Sequence, residues 1–113
     1  MPSHFYIKEN DTKPVLTAFL TDANDAAVNL TGATVTFNMR IEPRGTLKVN
    51  AGAATVEDAE SGKVSYSWAA DGADTHLAED YEAEFQVVYA GGGKQTFPGR
   101  NYILVHIIDD IVT

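Results

Sequence analysis

The feature that most constrains this chain is a two-residue alternation of apolar and polar side chains. It runs through three segments, and the apolar positions are Val35, Phe37, Met39, Ile41, Val64, Tyr66, Trp68, Tyr81, Ala83, Phe85, Val87 and Tyr89. A repeat of two places one face of a β-strand on a core and the other face in water. Antiparallel sheets are the usual setting for that arrangement, and no segment shows convincing helical periodicity.

Turn-forming residues separate the apolar runs, and Gly91-Gly92-Gly93 is typical of a hairpin tip. The predicted strands are 4–8, 14–21, 33–41, 46–50, 53–58, 63–69, 81–90, 94–98 and 101–108. A chain of 113 residues fits one domain. We therefore expect a single all-β domain over residues 1–113, an immunoglobulin-like antiparallel β-sandwich of about seven to nine strands.

The inward positions of these strands predict a core, whose largest members are Phe37, Tyr66, Trp68, Tyr81 and Phe85. By the same alternation, Ser65 and Ser67 lie on an outward, solvated face. Tyr81 opens a long strand just after a loop, as in a tyrosine corner, where the hydroxyl bonds to backbone a few residues upstream. The alternative is that Tyr81 is only the first inward residue of its strand.

Negative charge is concentrated in one quarter of the chain. The formal net charge is −8, and residues 57–84 hold nine acidic residues against Lys63 alone. Such a surface repels phosphate groups, so we expect no nucleic-acid partner and no anionic membrane. It is either a solubilising face or a docking surface for a basic partner. We also expect no signal peptide and no transmembrane segment, because no apolar run approaches the roughly 20 residues of a membrane helix.

Residues that could carry catalysis form no motif. There are no cysteines, and His4, His76 and His106 stand outside any nucleophile–base pattern. Two groupings could offer metal ligands, but neither has the spacing of a calcium loop; they are Asp22, Asn24 and Asp25, and His76, Glu79 and Asp80. We therefore expect no enzymatic activity, no cofactor and no metal requirement.

Two predicted strands, 14–21 and 101–108, carry apolar residues on both faces. Either another segment covers their outer faces, or these faces contact another molecule. After residue 110 the chain reads Ile111-Val112-Thr113, and these apolar residues either contact a neighbour or cover the end of the core. The candidate interaction residues are Phe5, Tyr6, Ile7, Tyr102, Ile111 and Val112.

A second binding mode would use aromatic rings as a platform for sugars. Its candidates are Trp68, Tyr66, Tyr89 and Tyr102. The alternation places the first three on inward positions, which favours the core, and leaves only Tyr102 ambiguous. A carbohydrate- or cell-surface-binding module is therefore the alternative function, and an accessory domain of an enzyme is a weaker third.

Several motifs resemble the N-terminal domain of phage baseplate upper proteins. In chain order they are Leu20-Thr21-Asp22, Val28-Asn29-Leu30-Thr31-Gly32-Ala33, Gly62-Lys63-Val64-Ser65-Tyr66-Ser67-Trp68, Tyr81-Glu82-Ala83-Glu84-Phe85 and Gln95-Thr96-Phe97-Pro98. The resemblance runs from about Phe5 to Ile108 and rests on structural motifs.

The resemblance implies an immunoglobulin-like module of a tailed-phage virion, made in the cytoplasm of the host bacterium. Its place would be the baseplate, the tail, the head–tail joint or, as a decoration, the capsid surface. Its partners would be other virion proteins, and it would form a homo-oligomer in the assembled particle.

Overall fold

The computed structural model describes residues 3–99 and 101–111. This part of the chain forms nine strands and no helix. The strands are β1 (His4–Lys8), β2 (Leu16–Phe19), β3 (Thr34–Ile41), β4 (Leu47–Ala53), β5 (Thr55–Asp58), β6 (Lys63–Tyr66), β7 (Asp80–Val88), β8 (Lys94–Phe97) and β9 (Ile103–Ile108). Each lies in or close to a predicted strand. The largest difference is at residues 46–58, where β4 and β5 are separated at Ala54, whereas the prediction separated them after residue 50.

The strands form two sheets that pack as a sandwich, which confirms the predicted fold class. The large sheet has the order β1-β9-β7-β3-β4, with β8 also paired to β7, and the small sheet has the order β2-β6-β5. The chain passes from the large to the small sheet at Ala54, whose amide donates to the Val35 carbonyl at 3.1 Å. One part of the prediction was wrong, because β1 pairs with β9 in parallel and the large sheet is therefore mixed.

The core lies between the sheets, on the inward positions of the alternation. All five predicted core residues are buried within it, together with Val35, Met39, Val64 and Val87. The ring of Phe37 stacks on Tyr66 at 4.4 Å and meets the edge of Trp68 at 5.8 Å. The Trp68 indole Nε1 donates to the Pro14 carbonyl at 3.0 Å, so its polar atom is satisfied as well.

The hydrogen bond expected of a tyrosine corner is present. The Tyr81 hydroxyl donates to the Leu77 carbonyl, four residues upstream, at 2.7 Å. Burial, with a smaller contribution from the nearby Glu79 carboxylate, raises the pKa of Tyr81 to about 12. This contact anchors the connection from Leu77 to the start of β7.

The expected solvated position of Ser65 was wrong. Ser65 is buried and donates its hydroxyl to Glu57 Oε2 at 2.6 Å, whereas Ser67 is exposed as predicted. Glu57 lies on the neighbouring strand β5, so its carboxylate reaches across and satisfies the hydroxyl. The alternation gives the face of Ser65 but not the side chain that covers it.

Candidate functional site

The outer surface of the β1–β9 pair presents aromatic and imidazole rings. Pairing places Tyr6 beside His106, and the two rings stack with their centroids 4.7 Å apart. The His4 ring lies near both, with its centroid 5.2 Å from that of His106 and 6.3 Å from that of Tyr6. We call this surface the β1–β9 face and define it by His4, Tyr6, Lys8, His106 and Ile108.

Hydrogen bonds fix the two imidazoles. His106 Nδ1 lies 2.8 Å from Asp80 Oδ1, and its Nε2 lies 2.9 Å from His4 Nδ1. A carboxylate can only accept, so His106 carries its proton on Nδ1, and in the neutral ring Nε2 accepts from His4. These contacts order the two imidazoles, and within residues 3–99 and 101–111 no three histidine, cysteine or acidic side chains are grouped to hold a metal ion.

Apolar surface on and beside this face is open to solvent. The side chain of Tyr6 is 58% exposed and that of Ile108 is 42% exposed. Ile111, three residues beyond the end of β9, is 94% exposed, so it does not cover the end of the core. On the outer face of residues 101–108, Tyr102 and Leu104 are half-buried, and within residues 3–99 and 101–111 Ile108 remains open to solvent beside Tyr6 and Ile111.

The other predicted interaction residues are not equally available. Ile7 is only 3% exposed, so its prediction as a contact residue was wrong; it points inward because side chains alternate along β1. Phe5 is half-buried and packs on Trp68 at 5.8 Å. Val112 lies outside the described residues.

Tyr102 belongs to a polar cluster on the same sheet. Arg40 donates through Nη2 to the Tyr102 hydroxyl at 3.0 Å, lies over the Tyr102 ring, and pairs through Nε with Glu82 Oε1 at 2.8 Å. Burial alone would raise the pKa of Glu82, but the hydrogen bonds from Arg40 and the Arg44 amide together lower it. The Tyr102 side chain is therefore fixed by contacts with Arg40 of the same chain.

The aromatic residues proposed for a sugar platform do not form one. Tyr66 and Trp68 are buried in the core, and Tyr89 is half-buried with its hydroxyl donating to Gln95 Oε1 at 2.8 Å. Burial, and then the hydrogen bond to Asp74, raise the pKa of Tyr66 well above its ordinary value. The exposed aromatic side chains, Tyr6 and Phe19, lie on different sheets.

The acidic residues are partly used inside the fold. Asp74 accepts from the Tyr66 hydroxyl at 2.7 Å and from the Ala69 amide at 2.9 Å, and Glu82 pairs with Arg40. Asp22 accepts from the amides of its own turn. In the candidate metal grouping of His76, Glu79 and Asp80, the side chains are directed to different partners. His76 contacts Lys48, whereas Asp80 contacts His106, so this grouping is not assembled as a metal site.

A groove of about 840 Å³ runs beside β2, on the side away from β6. We call it the β2 groove. Its lining comes from both sheets and includes Phe5, Leu16, Phe19, Leu20, Phe97 and Ile103. Sequence reasoning missed it, because a groove depends on which strand edges end side by side. The one available signal was the apolar character of both faces in 14–21, and Phe19, on its outer face, is 61% exposed.

Comparison with protein families gave no match, and comparison with curated proteins gave none. Among solved structures, the chain is similar to CopC from Methylosinus trichosporium OB3b. The TM-score is 0.51 at 8% sequence identity, over 95% of this chain and 85% of that one. At this identity the likeness supports the fold alone. In addition, residues 3–99 and 101–111 contain no helix long and apolar enough to cross a membrane.

Proposed function

We propose that this chain is a structural protein of a phage virion, a small docking module that acts through protein–protein contacts and not as an enzyme. The observation that carries the proposal is the exposed apolar surface of the β1–β9 face and of Ile111 beside it. Isolated apolar residues are common on protein surfaces, but here Tyr6, Ile108 and Ile111 occur on and just beyond one strand pair at a sheet edge.

The chemistry of the β1–β9 face suits a protein partner. Tyrosine is enriched at the centres of protein interfaces because it buries a large ring and still offers a hydroxyl. The hydrogen bonds among His4, His106 and Asp80 hold the neighbouring rings in place, so little side-chain freedom is lost on contact. The motifs resembling the baseplate upper proteins supply the class of partner, which is other virion proteins, including further copies of this chain.

The proposal is tested on purified particles of the phage that encodes the chain. The wild-type chain should copurify with particles at a fixed copy number. Tyr6→Lys places a charge on the β1–β9 face and should lower the amount of chain in particles by about tenfold or more. Thr34→Lys is the matched control, since Thr34 is an exposed residue of the same sheet, on β3, and should leave incorporation unchanged.

Two outcomes would contradict the proposal. If the wild-type chain is absent from purified particles, the virion role is wrong. If the Tyr6 variant is folded and still incorporated like wild type, the β1–β9 face is not the contact surface.

A further inference from the structure

We infer that the β2 groove is a binding site for an extended segment of another protein, which adds as a fourth strand to the small sheet along the free edge of β2. The inference deepens the proposed docking role and rests on it for the class of partner. The β2 groove and the β1–β9 face share His4, but the free edge of β2 belongs to the other sheet, so tests at Thr17 and at Tyr6 can fail separately.

The first observation is the direction of the β2 backbone. The Leu20 amide donates to the Gly62 carbonyl at 2.8 Å, toward β6. Along an antiparallel strand, successive residues direct their N–H and C=O groups to opposite edges, so those of Thr17 and Phe19 point away from β6. Within the described part of the chain no strand pairs with that edge. These groups can therefore pair with an incoming strand.

The second observation is the unequal width of the two sheets. The path across the large sheet has five strands, whereas the small sheet has three, and β2 is at its edge. The β2 groove lies beyond that edge, bounded on the large sheet by the start of β1, the end of β8 and the start of β9. A strand inserted next to β2 would lie between β2 and these strand ends of the large sheet.

The third observation is the chemistry of the groove. Its floor includes the buried apolar side chains of Leu16, Leu20 and Phe97, and its rim carries the exposed ring of Phe19. A strand alternates its side chains, so it could place apolar groups over the floor and a second set beside Phe19. Backbone pairing would provide affinity, and these side-chain positions would provide selectivity.

Charge indicates which strand fits. Asp22 is the acidic residue of the groove lining, and Lys63 Nζ lies 5.9 Å from the centroid of the Phe19 ring at the rim. The molecule as a whole carries −8, with the excess on residues 57–84 outside the groove. An acidic segment approaching this molecule would be repelled and a basic one attracted, whereas a neutral one would be neither. The same argument disfavours a second copy of this chain as the occupant. The partner is therefore an extended, alternating apolar segment without net negative charge.

The probe for the test is a synthetic peptide with blocked termini, KVTVTVTK in one-letter code, titrated into the isotopically labelled full chain. Binding should slow deuterium exchange of the Thr17 and Phe19 amides, because these would enter a new ladder. The peptide EVTVTVTE has the same strand pattern with opposite charge and should bind about tenfold more weakly or worse.

Two variants test the site. Thr17→Pro removes an edge donor that the β2–β6 ladder does not use, and should weaken binding of KVTVTVTK by about tenfold or more. Should that variant not fold, Phe19→Ser tests the rim and should also weaken binding. Leu47→Ser is the matched control, because Leu47 is 49% exposed on the edge strand β4 of the other sheet, and it should bind like wild type.

Unchanged exchange at Thr17 and Phe19 with saturating KVTVTVTK would overturn the inference, as would protection appearing along β4 instead. A homodimer that protects the β2 edge and excludes the peptide would overturn the choice of occupant. In each of these cases, the proposed incorporation of the chain into virions would still be tested separately by the Tyr6→Lys experiment.

Discussion

At the scale of single residues, the buried hydroxyl groups are each matched to one acceptor. Tyr81 donates to the Leu77 carbonyl, and Tyr66 donates to Asp74 Oδ2. No buried side-chain nitrogen or oxygen in the described ranges is without a hydrogen-bond partner. Because an unpaired polar group inside a core costs free energy, these bonds allow two large tyrosines to contribute to the core.

The raised pKa values of these tyrosines predict a loss of stability in alkali. Tyrosine in the unfolded chain titrates near pH 10, whereas burial raises the pKa of Tyr81 to about 12 in the folded chain. Their stabilising contribution is therefore complete below about pH 10 and falls as the pH rises toward 12. Tyr81→Phe should show a smaller drop in melting temperature between about pH 8 and pH 11 than wild type. An equal drop in both proteins would show that Tyr81 is not protected by the fold.

Trp68 should be the most costly of the core aromatic residues to truncate. Its ring contacts Phe5, Phe37 and Tyr66, and Trp68→Ala should lower the free energy of unfolding by about 3–5 kcal/mol in a denaturant titration. Tyr6→Ala, which removes an exposed ring, should cost less than about 1 kcal/mol. If Trp68→Ala lowered the free energy of unfolding by as little as Tyr6→Ala, the indole would be exposed to solvent. That result would favour the sugar-binding alternative.

At the scale of secondary structure, the start of β6 depends on one glycine. Gly62 has a φ of 70°, and its carbonyl accepts from the Leu20 amide. A Cβ at this position would lie 2.5 Å from the Leu20 carbonyl oxygen and 3.0 Å from that of Val28. Both the conformation and the close approach therefore require glycine.

Gly62→Ala should destabilise the protein by more than about 1 kcal/mol, since it combines a left-handed conformation with a clash against backbone atoms. Gly91→Ala is the matched control, because nothing lies within 4 Å of a Cβ at the β7–β8 hairpin tip. Its free energy of unfolding should stay within about 0.5 kcal/mol of wild type. Similar costs at both positions would mean that the turn before β6 can rearrange.

Strand pairings between sequence neighbours could be predicted, whereas pairings between distant strands could not. The hairpin of β7 and β8 was predictable because its strands are adjacent in sequence and three glycines join them. The pairing of β1 with β9 was not, because it joins Tyr6 to His106 across almost the whole chain, and its parallel direction has no local signal. The hydrogen-bonded imidazoles of the β1–β9 face depend on that pairing and were missed with it.

At the scale of the whole molecule, two of the places where the fold leaves apolar surface open lie at or beside strand edges. The β1–β9 face lies at the edge of the large sheet, and the β2 groove lies beside the edge of the small one. Edge strands present unpaired backbone groups, so both positions suit contact with other chains. A module with two such surfaces can connect two parts of an assembly.

Ile111 should contribute little to the stability of the domain. Ile111 is almost fully exposed, so a version that ends at Asp110 should unfold within about 0.5 kcal/mol of the full chain. Sedimentation of both versions would then show whether the last three residues support association. A loss of several kcal/mol in the shorter version would instead mean that these residues cover the end of the core.

The sequence by itself determined the strands and the direction of their side chains, because a two-residue repeat is a local property of an extended backbone. Phe37 and Trp68 could be placed in the core on that basis alone. Only the tertiary structure decided that β1 lies parallel to β9, that Glu57 covers Ser65, and that β2 keeps a free edge beside a groove. These features depend on which distant segments become neighbours, and that is decided by the packing of the two sheets as a whole.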